Sequence, residues 1–235
     1  MRSSASTVVE MPRHVGLIMD GNRRWARAAG LARVSEGHRA GADHLEDVLE
    51  WLSARGIRHV SVYVLSADNI RKRDADEIGY LFQLIESVLP VKVRQWSDWQ
   101  LHVAGDVTLL PESCATVLRD AVEATRGRPA HLTLAIGYDP QSEVCDAVRR
   151  MLADGQQAEG DALVAAISER LPGGPIKDID LVIRTSGEHR ISGFFPWQSQ
   201  HAEIVFSDKM WPAFGERELD SALGEYARRR SAAHT

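Results

Sequence analysis

The sequence predicts a single α/β domain built on a central, mostly parallel six-stranded sheet flanked by helices. Three observations carry this expectation. Six short β-rich runs alternate with amphipathic helical stretches, a chain of 235 residues with 44% hydrophobic content can bury one sizeable core, and no low-complexity linker or internal repeat divides it.

The strands are expected at "HVGLIMD" (14–20), "HVSVYVLS" (59–66), "WQLHVAGD" (99–106), "HLTLAIGY" (131–138), "DLVIRT" (180–185) and "EIVFSD" (203–208). Each is dense in β-branched and aliphatic residues. After the first, Leu45, Val48, Leu49 and Leu52 recur at helical spacing and stop at Gly56. From about Asp74 another helix places Ile78, Leu81, Phe82, Ile85 and Leu89 on one face. Further helical patterns fall near 112–125, 142–153, 161–171 and 216–230, and "LPGGP" (171–175) reads as loop. Strand, helix, strand in repetition calls for parallel pairing with helices on both faces.

Residues 1–12 are expected to form a loose, disordered tail and residues 13–235 the folded domain. The tail lacks the apolar centre of a signal peptide and no apolar run approaches the ~20 residues that span a bilayer, so a cytoplasmic protein is expected. With 33 acidic against 28 basic residues, a net charge of -5 gives no global attraction to nucleic acid. Cys114 and Cys145 lack the spacing of a metal or disulfide framework and are expected as small buried core residues.

In open parallel sheets, ligands bind beyond the carboxyl ends of the strands. Polar residues gather there: Asp20 after the first strand, Ser66, Asp68 and Asn69 after the second, Tyr138 and Asp139 after the fourth, Arg184 and Thr185 after the fifth. In "DGNRRW", Gly21 permits a tight turn, backbone amides of residues 21–24 suit an anion if a helix starts there, and Arg23 and Arg24 add charge. This is the chemistry of a phosphate cradle. A carboxylate inside it would repel phosphate unless a cation lay between them, which points to Mg²⁺ at Asp20. Taken alone, the segment fits equally well a helix cap with solvated arginines.

A second anion cradle stands in "IRTSGEHRISGF", where Arg184 and Arg190, six residues apart, and Ser192 supply paired donors to one phosphate group. Two cradles imply two phosphorylated substrates. Glu203 opens the last strand, where a carboxylate on a strand edge is unremarkable by itself.

The ordered segments "HVGLIMDGNRRWA", "GHRAG", "SADN", "DIDLVIRTSGEHRISGFFPWQ" and "AEIVFSDKMWPAF" together resemble the cis-prenyltransferases, the undecaprenyl diphosphate synthase family, from about His14 to Phe214. The resemblance implies an undecaprenyl diphosphate synthase-like fold, a homodimer, and a catalytic domain over 13–235. It also implies Mg²⁺-dependent coupling of an allylic diphosphate, such as dimethylallyl or geranyl diphosphate, with a second isoprenoid diphosphate such as isopentenyl diphosphate. By the same resemblance Asp20 holds Mg²⁺, and Gly21, Asn22, Arg23, Arg24, Trp25, Arg33 and His38 surround the allylic diphosphate. Lys72 or Arg73 takes the place of a family arginine, and Arg184, His189, Arg190 and Ser192 grip the second substrate. Glu203 matches a second Mg²⁺ contact, and Ser66 and Asn69 match a pair that orients substrate and handles the proton lost after coupling.

Departures from the family pattern sharpen the expectation. Leu65, in "VLSADNI", would floor the product tunnel and favour a short chain. "DPQ" (139–141) replaces a Gly-Gly-Arg after the fourth strand, and Ala67 and Asp68 stand beside the proton-handling pair. Such changes fit either regular head-to-tail coupling or irregular, lavandulyl-type head-to-middle coupling of two allylic diphosphates, with or without cyclisation. A non-catalytic partner subunit would be expected to lose the metal aspartate or the loop arginines, and both are present.

Overall fold

The computed structural model describes residues 10–233. Six parallel strands form one sheet: β1 (His14–Ile18), β2 (His59–Ser66), β3 (Trp99–Ala104), β4 (Ala130–Tyr138), β5 (Leu181–Arg184) and β6 (Glu203–Phe206). Their order is β3-β4-β2-β1-β5-β6. The chain steps from β1 outward through β2 on one side and later returns to β5 on the other. That reversal opens a crevice at the tips of β1, β2 and β5.

Among the described residues, eight α-helices accompany the sheet: α1 (Asn22–Ala28), α2 (Ser35–Ala54), α3 (Ala67–Lys72), α4 (Ala75–Gln95), α5 (Glu112–Ala124), α6 (Pro140–Ala153), α7 (Gly160–Arg170) and α8 (Glu216–Ala233). On one face, α2 buries Leu45, Val48, Leu49 and Leu52, and α4 buries Ile85, Leu89 and Val93, against Val15, Leu17, Val60 and Val62 of the sheet. On the other face Phe194, Phe195 and Tyr138 pack with Ile18, Ala135 and Val182. No helix among the described residues is long and apolar enough to cross a membrane.

Two expectations are corrected, and one helix was not expected. Residues 1–9 of the expected tail lie outside the described residues, but Pro12 is buried and Met11 packs on the core, so the tail's last residues are docked. Cys114 is buried as expected, whereas Cys145 is exposed. The buried face of α6 carries Glu143, Ala147 and Met151, and a residue two positions from Glu143 and Ala147 points the other way. The short helix α3 is absent from the sequence pattern: at six residues it is too brief to show a period.

At the amino-terminal edge of the sheet, four histidines stand side by side. Ring centroids are 6.1 Å apart for His14 and His59, 4.8 Å for His59 and His131, and 5.3 Å for His131 and His102. His14 Nε2 lies 2.9 Å from Ser61 Oγ, and His102 Nε2 lies 3.0 Å from His131 Nδ1.

Candidate active site

A cavity of about 970 Å³ opens where β1, β2, β4 and β5 end. Its mouth is polar, and behind the mouth leucine, isoleucine and valine side chains form the wall. β1 stops at Ile18, and the chain turns through an Asp20 amide that donates to the Ile18 carbonyl at 2.9 Å. Gly21 follows at φ +103°, and a Cβ there would meet Met210 Cα and Ser186 Cβ at 2.9 Å each. Only glycine suits both that backbone and that space.

Asp20 is held from several sides. Arg184 Nη2 donates to its Oδ2 at 2.9 Å, the Gly21 amide to its Oδ1 at 2.7 Å, and Arg24 Nη2 stands 4.0 Å away. Burial pushes the Asp20 carboxyl up, but the hydrogen bonds from Arg184 and Gly21 outweigh it and leave it below the usual carboxylate range. It is an anion. Thr185 Oγ locks the same turn, accepting from the Asp20 amide at 2.9 Å and donating to its carbonyl at 2.7 Å.

Arg184, 4% exposed, donates through Nη1 to the Arg190 carbonyl at 2.6 Å and to Ser192 Oγ at 2.8 Å. Its Nε is buried without a partner. The loop it braces holds three non-glycine residues at positive φ, Ser186 (77°), Ser192 (50°) and Phe195 (41°). Such backbone persists only where surroundings over-determine it, and it concentrates at ligand sites.

On the other side of the mouth, Glu77 gathers basic side chains. Arg73 Nη1 lies 2.8 Å and His38 Nε2 3.1 Å from its Oε1, and Arg23 Nη1 lies 3.4 Å from its Oε2. Arg73 Nη2 also donates to Asn69 Oδ1 at 2.9 Å, and the Asn69 amide donates to Ser66 Oγ at 3.0 Å. Ser66 thus caps α3 while its hydroxyl remains in the cavity wall. Lys72 turns away to pair with Asp68 at 2.7 Å, so Arg73 is the basic residue that lines the cavity.

Asp20, Gly21, Asn22, Arg23, Arg24, His38, Leu65, Ser66, Asn69, Arg73, Arg184, Arg190 and Ser192 all line this one cavity. Four expected residues do not. Trp25 is half-buried and Arg33 exposed, both away from it. His189 stacks on Phe206 at 4.7 Å. Glu203 lies at the opposite end of its strand: it pairs with Leu181, three residues before Arg184, and its carboxylate is 3.2 Å from Arg229. Within one chain it is not brought to Asp20.

Residues missed by sequence reasoning include Glu77 and Tyr63. Glu77 stands three positions after the Asp74 cap of α4, the spacing of a capping box, which disguised its role as a collector of arginines. Tyr63 and Tyr138 form an edge-on pair, ring centroids 5.9 Å apart, in the cavity wall. The "DPQ" departure is explained by Asp139 capping α6 through the Ser142 amide at 2.8 Å, with Pro140 in the first turn, where its missing N–H costs nothing.

The donor set fits magnesium. Among the described residues no three His, Cys, Asp or Glu side chains cluster as a protein-only metal cage. Magnesium is commonly held by one or two carboxylates with substrate phosphates completing its shell, and anionic Asp20 among cationic phosphate ligands suits that arrangement.

The chain matches the undecaprenyl diphosphate synthase family model over residues 18–233. It is 46% identical to an isoprenyl transferase of Streptomyces fradiae, across 93% of this chain and 89% of that protein. It is 41% identical to a (2Z,6E)-farnesyl diphosphate synthase of Mycolicibacterium smegmatis, across 94% of this chain and 87% of that protein. The solved lavandulyl diphosphate synthase from Lavandula x intermedia, in complex with dimethylallyl diphosphate, aligns with a TM-score of 0.84 at 30% identity, covering 92% of this chain and 95% of that one. The cavity between the tips of β1 and β5 is therefore that of a prenyltransferase, and the chain belongs to the undecaprenyl diphosphate synthase family.

Proposed function

We propose that this prenyltransferase couples an allylic diphosphate, dimethylallyl or geranyl, with isopentenyl diphosphate to give a short-chain prenyl diphosphate of about ten to fifteen carbons. One observation carries the reading: a ring of arginines around an anionic Asp20 opens directly into an apolar tunnel. The (2Z,6E)-farnesyl diphosphate synthase relatives support the short product.

Asn22, Arg23, Arg24, His38 and Arg73 receive the allylic diphosphate, and Asp20 would hold Mg²⁺. When bound, the ion neutralises negative charge growing on the leaving diphosphate. Arg184, Arg190 and Ser192 position the second diphosphate beside it, so that the acceptor alkene faces the allylic carbon. The arginines stabilise the departing group, the alkene attacks the resonance-stabilised cation, and a proton leaves the new chain. Ser66 and Asn69, hydrogen-bonded to each other, orient the acceptor, with the departing diphosphate as the base. Leu65, Leu134 and Ile136 exclude water from the cation. Family membership further supports a cytoplasmic homodimer as the working unit.

The lavandulyl diphosphate synthase neighbour favours a second reading, head-to-middle coupling of two allylic diphosphates. Incubation with dimethylallyl diphosphate alone separates them. Regular coupling gives no product without isopentenyl diphosphate; a branched ten-carbon diphosphate formed from dimethylallyl diphosphate alone overturns the first reading.

A further inference from the structure

The deep end of the cavity is not apolar. Along α4, Leu81, Leu84, Ile85, Val88 and Leu89 line the tunnel as one helical stripe, and the next positions of that stripe are Lys92 and Trp96. Lys92 is 7% exposed, and its ammonium is bound to the Glu46 carboxylate of α2, with Asp43 Oδ1 at 3.6 Å. Trp96 is equally buried, and its indole N–H has no hydrogen-bond partner.

We infer that the Lys92–Glu46 ion pair, backed by Trp96, is the stop that ends the tunnel and sets the longest prenyl tail the site accepts. The inference rests on the prenyl-diphosphate reading of the mouth. Each isoprene unit of a tail gains by leaving water for the leucine and valine wall. A unit driven against the ion pair gains no such contact and must either separate charges that neutralise each other or strip the water that reaches Glu46, whose side chain is 27% exposed. From Leu81 to Lys92 the helix advances about 16 Å. With bonds of about 1.5 Å, the four-bond repeat of an isoprene unit advances ~5 Å, so about three units fit before the charges are met. A fourth does not.

The test is binding, not turnover. Non-reactive prenyl thiodiphosphates carrying two, three and four isoprene units are titrated calorimetrically into wild type, Lys92→Met, and the double variant Lys92→Met/Glu46→Gln, in which the remaining carboxylate, Asp43, keeps Arg39 as its partner. In wild type the four-unit compound should bind about tenfold more weakly than the three-unit one. In the double variant that step should shrink below about threefold, with two-unit binding unchanged and a cooperative thermal transition retained. An undiminished step in the folded double variant, or equal binding of three and four units by wild type, overturns the inference. Tight binding of the series without any coupled product in a separate turnover assay refutes the proposed reaction while leaving the stop in place. Failure of wild type to bind all three compounds overturns both.

Discussion

Arg184 joins two strands and a loop: one guanidinium nitrogen lies 2.9 Å from Asp20 Oδ2 at the tip of β1, while the other lies 2.8 Å from Ser192 Oγ beyond β5. The two proposed diphosphate cradles therefore share one buried cation. Loss of Asp20 leaves Arg184 its loop partners, so the fold should survive while the chemistry does not.

Asp20→Ala is accordingly expected to lower kcat by about 10³-fold or more, with a thermal midpoint close to wild type. Steady-state rates at saturating magnesium and both substrates check this. Retention of more than about a tenth of the wild-type rate would contradict the metal role.

Arg190 is exposed, lines the mouth and pairs with Glu188. Arg190→Ala should raise KM for the acceptor diphosphate by roughly 10- to 100-fold, equivalent to losing one charge-assisted contact, with a smaller change in kcat. Varying each substrate in turn measures it. A KM change confined to the allylic substrate would reassign the loop.

Leu65 is 1% exposed and belongs to the tunnel wall. Leu65→Ala should shift products toward longer chains and lower stability by about 2–4 kcal/mol. Chromatography of dephosphorylated products reads the first effect and urea denaturation the second. An unchanged product profile removes Leu65 from length control.

Glu143, on the buried face of α6, has its pKa pushed up to about 7 by burial, despite hydrogen bonds from Gln198 and Tyr138. A carboxyl raised in the folded state binds more protons there than when unfolded. Its contribution is fully present below the ordinary carboxylate range and is lost as pH rises toward about 7, amounting to roughly 3 kcal/mol. Glu143→Gln mimics the neutral form. Above pH 7 the variant should be the more stable protein, and near pH 4 the difference should vanish; equal denaturation midpoints at pH 8 would refute the raised value.

Much of the architecture was legible because parallel strands buried on both faces announce themselves as continuous aliphatic runs. Val60, Val62 and Leu65, or Leu132, Leu134 and Ile136, leave little alternative. Ends were less legible: Asp20 reads as the last residue of a strand, yet lies two residues past it, because Gly21 turns the chain. The grouping of Asp20 with Arg184 follows from their places after adjacent strands. Glu77 and Lys92 stayed hidden for a different reason. Each sits on an amphipathic helix where charge is normally solvent-facing, and only the packing of α4 against α2 reveals that both face inward.

The row of four histidines lies at the amino-terminal edge of the sheet, opposite the chemistry. His14, His59 and His102 are each lowered to about 4, by burial first and then by charged or imidazole neighbours. Rings that resist protonation when folded but accept it when unfolded favour the native chain above about pH 6.5 and desert it as pH falls toward 4. Acid therefore costs the fold stability through residues on the side away from the diphosphate mouth, so that acid tolerance and turnover can be tuned by separate sets of residues.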